Sequence, residues 1–307
     1  MGPRERPNAL TAALFFALFA GGCATTGETV AQAPEAPIVR PGPPGPNYAV
    51  IVAKVDSEGT DELRFKRLLV PETVDATKAA MMLMDIAPDV QFGGPPHPCY
   101  EILVVLRSGS LELESGAERV TLGPGDAVVL RRRTPFLVRG AGGDPSQALL
   151  VFVPDGVTVA ECDALASEAA PVESLPADPA RPILRVAHLA DAAPHEIAGG
   201  HGEARLLLDP ATPSGSSLAY LGTLRGDEHL VVPEHVHAGA AELLLLVGGR
   251  GEMTIAGTVV PVSAGMAIHV PPDTPHSFRA TRAIDAIQVY APAGAEDRFR
   301  QAPTKTP

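Results

Sequence analysis

Two histidines separated by a single residue, His235 and His237, stand in the stretch Pro233-Glu234-His235-Val236-His237-Ala238-Gly239-Ala240-Ala241-Glu242. In an extended strand, residues two apart project to the same face, so both imidazoles can reach one ion together. The small residues 238–241 let the chain turn. Glu242 then opens the apolar run Leu243-Leu244-Leu245-Leu246-Val247, which reads as a buried strand ended by Gly248-Gly249. Further on, Gly265, Pro271 and His276 mark a strand that closes in a proline-rich turn. Such a turn delivers His276 from a different part of a sheet.

Strands and tight turns must therefore position these groups, and the composition agrees. The 307 residues include 30 Gly and 32 Pro, which imply many turns and few long helices. Aromatic residues make up 4% and Trp is missing, so aliphatic side chains must build the core. The chain also repeats itself. Arg67-Leu68-Leu69-Val70 recurs as Arg205-Leu206-Leu207-Leu208, His97 as His235, and Val151-Phe152-Val153-Pro154 as Val289-Tyr290-Ala291-Pro292, all at an offset of about 138 residues. Leu122-Gly123-Pro124-Gly125-Asp126 matches Val262-Ser263-Ala264-Gly265-Met266 with a slip of about two, which surface loops absorb. Two copies of one domain follow, at 48–157 and 183–295. A linker at 158–182, with a short helix near 162–169, joins them, and a tail occupies 296–307. Ala79-Ala80-Met81-Met82-Leu83-Met84 has good helix formers, yet the repeat aligns it with the strand-like Ser217-Leu218-Ala219-Tyr220-Leu221. The repeat decides for strand, because tertiary context overrides propensity.

The second copy resembles the cupin superfamily, small β-barrels of jelly-roll type. The family's first motif has two His flanking one residue, then Glu, then Gly; His235, His237, Glu242 and Gly249 fit it. Its second motif has Gly, then Pro, then His; Gly265, Pro271 and His276 fit that. The sequence departs from the pattern at His229, where the first motif usually leads with Gly, and at Asp273, where the second usually has Gly. The usual Asn after the last His is also missing. The resemblance implies an all-β chain of two cupin-type barrels in tandem, a bicupin. It implies that His235, His237, Glu242 and His276 ligate one divalent transition metal: Fe, Mn, Zn, Ni or Cu. It further implies a small-molecule ligand or substrate, with dioxygenase, decarboxylase and isomerase chemistry all represented, and homodimers formed through sheet edges. An enzyme and a non-catalytic binder share these residues, so the reaction stays open. His229 and His269 read as surface or core histidines. Tyr220, Gln288 and Tyr290 can point into the barrel or to solvent.

The first copy reads as degenerate. His97, Cys99 and Glu101 are what it retains, with Cys99 in place of the second His and Glu101 as the counterpart of Glu242. Phe136 stands where His276 stands and Arg131 where Pro271 stands, so no stable metal site is expected there. Cys99 and Cys162 could pair in an oxidising compartment, but they are far apart in sequence, which does not reveal their proximity, so their pairing stays open.

Residues 1–22 read as a processing segment: Arg4 and Arg6, an apolar run over 9–20, then Ala20-Gly21-Gly22-Cys23. The run is shorter than the roughly 20 residues that span a bilayer. Small residues directly before a Cys resemble the lipobox of bacterial lipoproteins, which implies lipidation at Cys23. Ala24 after the Cys points to the outer membrane, facing the periplasm. Residues 23–47 carry Pro34, Pro37, Pro41, Pro43, Pro44 and Pro46 and read as an extended tether. The net charge of −12 argues against a nucleic-acid partner and against a polybasic membrane surface, which leaves the lipid as the only membrane contact.

Overall fold

Strand formation follows from burial on two faces. In the computed structural model, which describes residues 47–94, 97–168, 184–213 and 215–301, the strand Ala80–Ile86 buries almost every side chain. Ala80, Met82, Met84 and Ile86 enter one core, and Met81 and Leu83 enter another. A strand with two buried faces shows no polar alternation, which is why this segment's composition resembles a helix. The repeat-based expectation of strand holds.

The chain folds as two β-barrels in tandem, each with its own interior core, and a third apolar core between them. The first barrel pairs a six-stranded sheet, in the order Glu58–Gly59, Leu63–Leu69, Ala80–Ile86, Ser146–Pro154, Tyr100–Ser108 and Ala127–Leu130, with a four-stranded one. The second barrel is one nine-stranded sheet held together by two long bent strands, Ala241–Ile255 and His276–Ala291. Gly248 and Gly249 do not end the first of these. They bulge it, with register shifts between Leu246 and Gly251, and the strand continues to Ile255, paired with Thr258–Ser263. Gly249 holds φ +87°, and a Cβ there would lie 2.1 Å from the Ala283 carbonyl oxygen, so only glycine fits the corner.

The two barrels exchange arms. Ala49–Ile51, ahead of the first barrel, pairs with Met266–Val270 of the second, and Ala187, ahead of the second, bridges Ala127 of the first. Ala49 and Ala187 are related by the repeat offset, so the exchange obeys the internal pseudo-symmetry. Leu103, Val105, Leu149 and Val151 from one barrel meet Leu207, Leu221, Leu243 and Val289 from the other in the shared core. At its edge Glu101, 3% exposed, accepts hydrogen bonds from the hydroxyls of Ser216 (2.6 Å) and Ser217 (2.9 Å) and faces Arg131 at 3.4 Å.

One expectation changes and one open point closes. Residues 297–301, placed in a tail, form the helix Asp297–Gln301, whose Phe299 is buried in the second barrel. Cys99 and Cys162 are joined in a disulfide. The linker helix, Val159–Glu168, lies against the end of the first barrel and brings Cys162 to Cys99, a proximity that sequence distance conceals. Tyr100 fastens the same helix: its hydroxyl lies 2.6 Å from Asp163 Oδ1 and 2.8 Å from the Val159 carbonyl oxygen. Cys23 and the proline-rich stretch up to residue 46 lie outside the described residues.

The bridge closes a 63-residue separation. Cys99→Ser is expected to lower unfolding free energy by about 2–4 kcal/mol. Urea denaturation of the oxidised wild type, the reduced wild type and the variant checks this: the last two should coincide.

Candidate metal centre

His235 ends the strand Val231–His235 and pairs in register with His276, the first residue of His276–Ala291. His237 follows in the turn, and Glu242 lies at the start of Ala241–Ile255, opposite Val270 and Tyr290. The two turns are stitched together: the Asp273 amide donates to the His237 carbonyl (3.2 Å), and Asp273 Oδ1 accepts from the Gly239 amide (2.9 Å). Asp273 holds φ +58°, a left-handed conformation that Asp tolerates better than most side chains. The departure from glycine at this turn therefore leaves the geometry intact and adds a tie.

The four side chains meet inside the barrel. Their ligand atoms all lie within 4.8 Å of one another, and the imidazole centroids are 4.2–5.0 Å apart. His235 Nδ1 lies 2.8 Å from the Pro233 carbonyl, and His276 Nδ1 lies 2.8 Å from that of Thr274. A carbonyl can only accept, so both Nδ1 atoms carry protons and both Nε2 atoms face the centre. The Nε2 atoms of His235 and His237 are buried with no hydrogen-bond partner. Glu242, 4% exposed, has Oε2 2.9 Å from His276 Nε2 and 3.4 Å from His237 Nε2. Its other oxygen accepts from Gln288 Nε2 at 2.6 Å, and Gln288 also donates to the Tyr290 hydroxyl.

The electrostatics fit a site built around positive charge. Burial pushes the Glu242 carboxyl upward, but the His237 and His276 imidazoles beside it outweigh burial and hold the group well below the usual carboxylate range. Burial pushes His276 down, and its bond to Glu242 outweighs that and raises it. Burial lowers His235 to about 4, which keeps its lone pair free near neutral pH. Two unpartnered imidazole nitrogens beside a buried carboxylate are costly unless a cation meets them. Three nitrogens and one oxygen make a donor set for a divalent transition ion.

This centre opens into a cavity of about 580 Å³. Its walls are aliphatic and aromatic, including Leu224, Leu246, Met253, Ile268 and Phe278, while Gln288 and Arg298 line it beside the ligand set. Tyr220 and Tyr290 are fully buried and stack 5.2 Å apart, and Tyr290 packs against His237. His229 is exposed, away from the centre, and His269 is buried outside the barrel, on the face turned to the first domain. Arg298 lies in the segment that reads from sequence as a tail; the signal that points to it is Phe299, an aromatic able to dock the segment.

The first barrel shows the same frame filled with apolar groups. The Arg133 amide donates to the His97 carbonyl as the Asp273 amide does to that of His237. Ile102 pairs with Leu130 and Phe152 as Glu242 pairs with Val270 and Tyr290. His97 therefore occupies the place of His237, not of His235, and Ile102, not Glu101, occupies that of Glu242. A one-residue difference moves a strand side chain to the other face, and Glu101 accordingly points to the inter-barrel contact. Cys99 is committed to its disulfide. With Phe136 at the place of His276, one imidazole remains, and burial lowers it to about 4. The residual space inside this barrel is about 10 Å³.

Residues 227–287 match the Cupin domain family. None of the curated proteins matches the chain in sequence. Among solved structures, the chain is similar to an oxalate decarboxylase of Lactobacillus farciminis in complex with formate (TM-score 0.62, 12% identity, 84% of this chain and 91% of that one). It is similar to a mutant oxalate decarboxylase of Bacillus subtilis (TM-score 0.63, 13% identity, 82% and 79%) and to protein Ylba from E. coli (TM-score 0.60, 11% identity, 80% and 91%). At such identities the likeness shows the fold, a tandem cupin.

The contrast between the barrels can be tested by transplanting the acid. Ile102→Glu is expected to destabilise the protein by about 3–5 kcal/mol, because the buried carboxylate finds no imidazole cluster. Chemical denaturation measures the loss, and a variant as stable as wild type would contradict the register given above.

Proposed function

We propose that this protein is a lipid-anchored bicupin that holds one divalent transition metal in its C-terminal barrel and binds a small organic molecule beside it. The observation that carries the reading is the pair of buried, unpartnered imidazole nitrogens of His235 and His237 facing the Glu242 carboxylate at one end of an open cavity. A purely structural metal site is closed by its protein ligands; this one adjoins space for a ligand. A bound ion of this class would supply Lewis acidity, or oxygen chemistry if it is iron, manganese or copper.

The chain's own residues set what such a site can do. Gln288 holds one Glu242 oxygen, which leaves the other turned to the imidazoles. The Tyr290 phenol is kept protonated, by burial first and by the Glu242 charge second. The walls away from the ligand set are largely aliphatic. Apart from the ligands, the acids lining the cavity are Glu196 and Glu234, half-buried and exposed respectively, so neither is a sheltered proton donor at the centre. That lining favours metal-centred oxidation, dioxygenase-like in class, over decarboxylation or isomerisation, which call for a positioned acid or base. Binding without turnover is the competing reading, and the same aliphatic lining supports it.

Elemental analysis of protein purified from its native compartment tests the centre. A stoichiometry near one metal per chain is expected, falling to background in His237→Ala, and an unchanged metal content in the variant would reject the site. The anchor is tested separately: Cys23→Ser is expected to move the protein from the membrane to the soluble fraction, and continued membrane retention would reject lipidation there.

A further inference from the structure

Arg298 stands beside the centre without an acid to neutralise it. It projects from the helix Asp297–Gln301 and is half-buried along the cavity wall. Its Nη2 donates to the Tyr290 hydroxyl at 2.6 Å, and its guanidinium lies 4.9 Å from the centre of the Phe299 ring and 5.6 Å from that of Tyr290. Among the described residues it forms no ion pair, whereas Arg205, Arg225 and Arg300 of the same barrel pair with Glu203, Asp285 and Asp209. The aromatic contacts fix the guanidinium plane while leaving donors uncommitted. One end of the cavity thus offers a cation outside any ion pair next to the ligand set.

Apart from Glu196 and Glu234, the rest of the cavity is largely apolar. Leu224, Val232, Leu246, Met253, Phe278 and Ile284 line it, and its volume of about 580 Å³ falls within the roughly 300–1,000 Å³ typical of sites for whole organic ligands. A small dicarboxylate would leave most of that space unfilled and set its second charge against hydrocarbon. A ligand with one anionic end and a hydrocarbon body matches both ends of the cavity.

We propose that the second barrel binds an amphipathic monocarboxylate, with its carboxylate directed to the Arg298 end and its aliphatic or aromatic body along the Leu246–Met253 wall. The assignment rests on the metal-centre reading of the same cavity and names its ligand class. Arg298 is in this account a specificity-determining residue, carried by a helix outside the barrel strands.

Calorimetric titration of the full chain with hexanoate, octanoate, decanoate, 1-octanol and oxalate tests it, with metal content measured on each sample. Affinity is expected to rise about fourfold per added methylene. Octanoate should bind at least about tenfold more tightly than 1-octanol, in line with a charge-assisted hydrogen bond to a half-buried guanidinium. Arg298→Gln should abolish that head-group preference while keeping the chain-length slope, and Arg298→Lys should restore most of it. Affinity independent of chain length, oxalate binding more tightly than octanoate, or an unchanged head-group preference in Arg298→Gln would each overturn the proposal. In metal-loaded protein a flat series removes the ligand class and leaves the centre standing. Protein that holds no metal yet keeps the series removes the centre and leaves the ligand class standing.

Discussion

A carboxylate sealed inside a barrel has to be met by positive charge, and that requirement at Glu242 governs the second domain. The residue is almost wholly buried, yet its environment favours the ionised form. Hydrogen bonds from His276 and Gln288 satisfy part of the demand, and the bare Nε2 atoms of His235 and His237 leave lone pairs able to meet a cation. Leaving such a cluster unmet inside a protein costs several kcal/mol. The strand register, the stitched turns and the proline-rich approach to His276 are the means by which four separate stretches satisfy one oxygen pair.

The two barrels show what the frame becomes with and without that acid. At the Glu242 place the first barrel has Ile102, at the His276 place Phe136, and its interior closes to a void of about 10 Å³. The second keeps the polar set and stays open at about 580 Å³. The outward faces of the same strands are alike in both barrels, since Leu103 and Val105 on one side meet Leu243 and Leu245 on the other. Pseudo-symmetry is thus preserved where the barrels touch and lost where they face inward.

Much of this was legible in the residues. Spacing alone brought His235 and His237 together, though only His235 lies in a strand and His237 follows in the turn, and the repeat overrode the helix-forming composition of Ala79 to Met84 correctly. The resemblance supplied Glu242 and His276, and the fold brings all four together. What failed did so for physical reasons. The offset of about 138 matched His97 to His235, although a loop there changes it by two, and a further gap of three residues then matched Glu101 to Glu242, one residue short of Ile102. Because strand faces alternate with period two, one residue of error in Glu101 placed an inter-barrel contact inside a barrel. The Cys99–Cys162 pair was hidden because helix docking, not sequence distance, sets sulfur proximity. Arg298 was hidden because the segment carrying it has only five helical residues, too few to show a period.

The retained first barrel has a structural consequence for the centre. Glu242 and Gln288 sit on strands whose alternate residues, Leu243, Leu245 and Val289, are buried in the inter-barrel core. Met266–Val270, which pairs with the Glu242 strand, is itself covered on its free edge by Ala49–Ile51, the exchanged arm from ahead of the first barrel. Side chains gathered around an ion need supports that do not shift by a fraction of an ångström, and close-packed apolar contacts on the reverse face of the same strands provide them. A barrel with apolar groups at the matching positions therefore still shapes the site next door, through the backs of the strands rather than through the four candidate ligands.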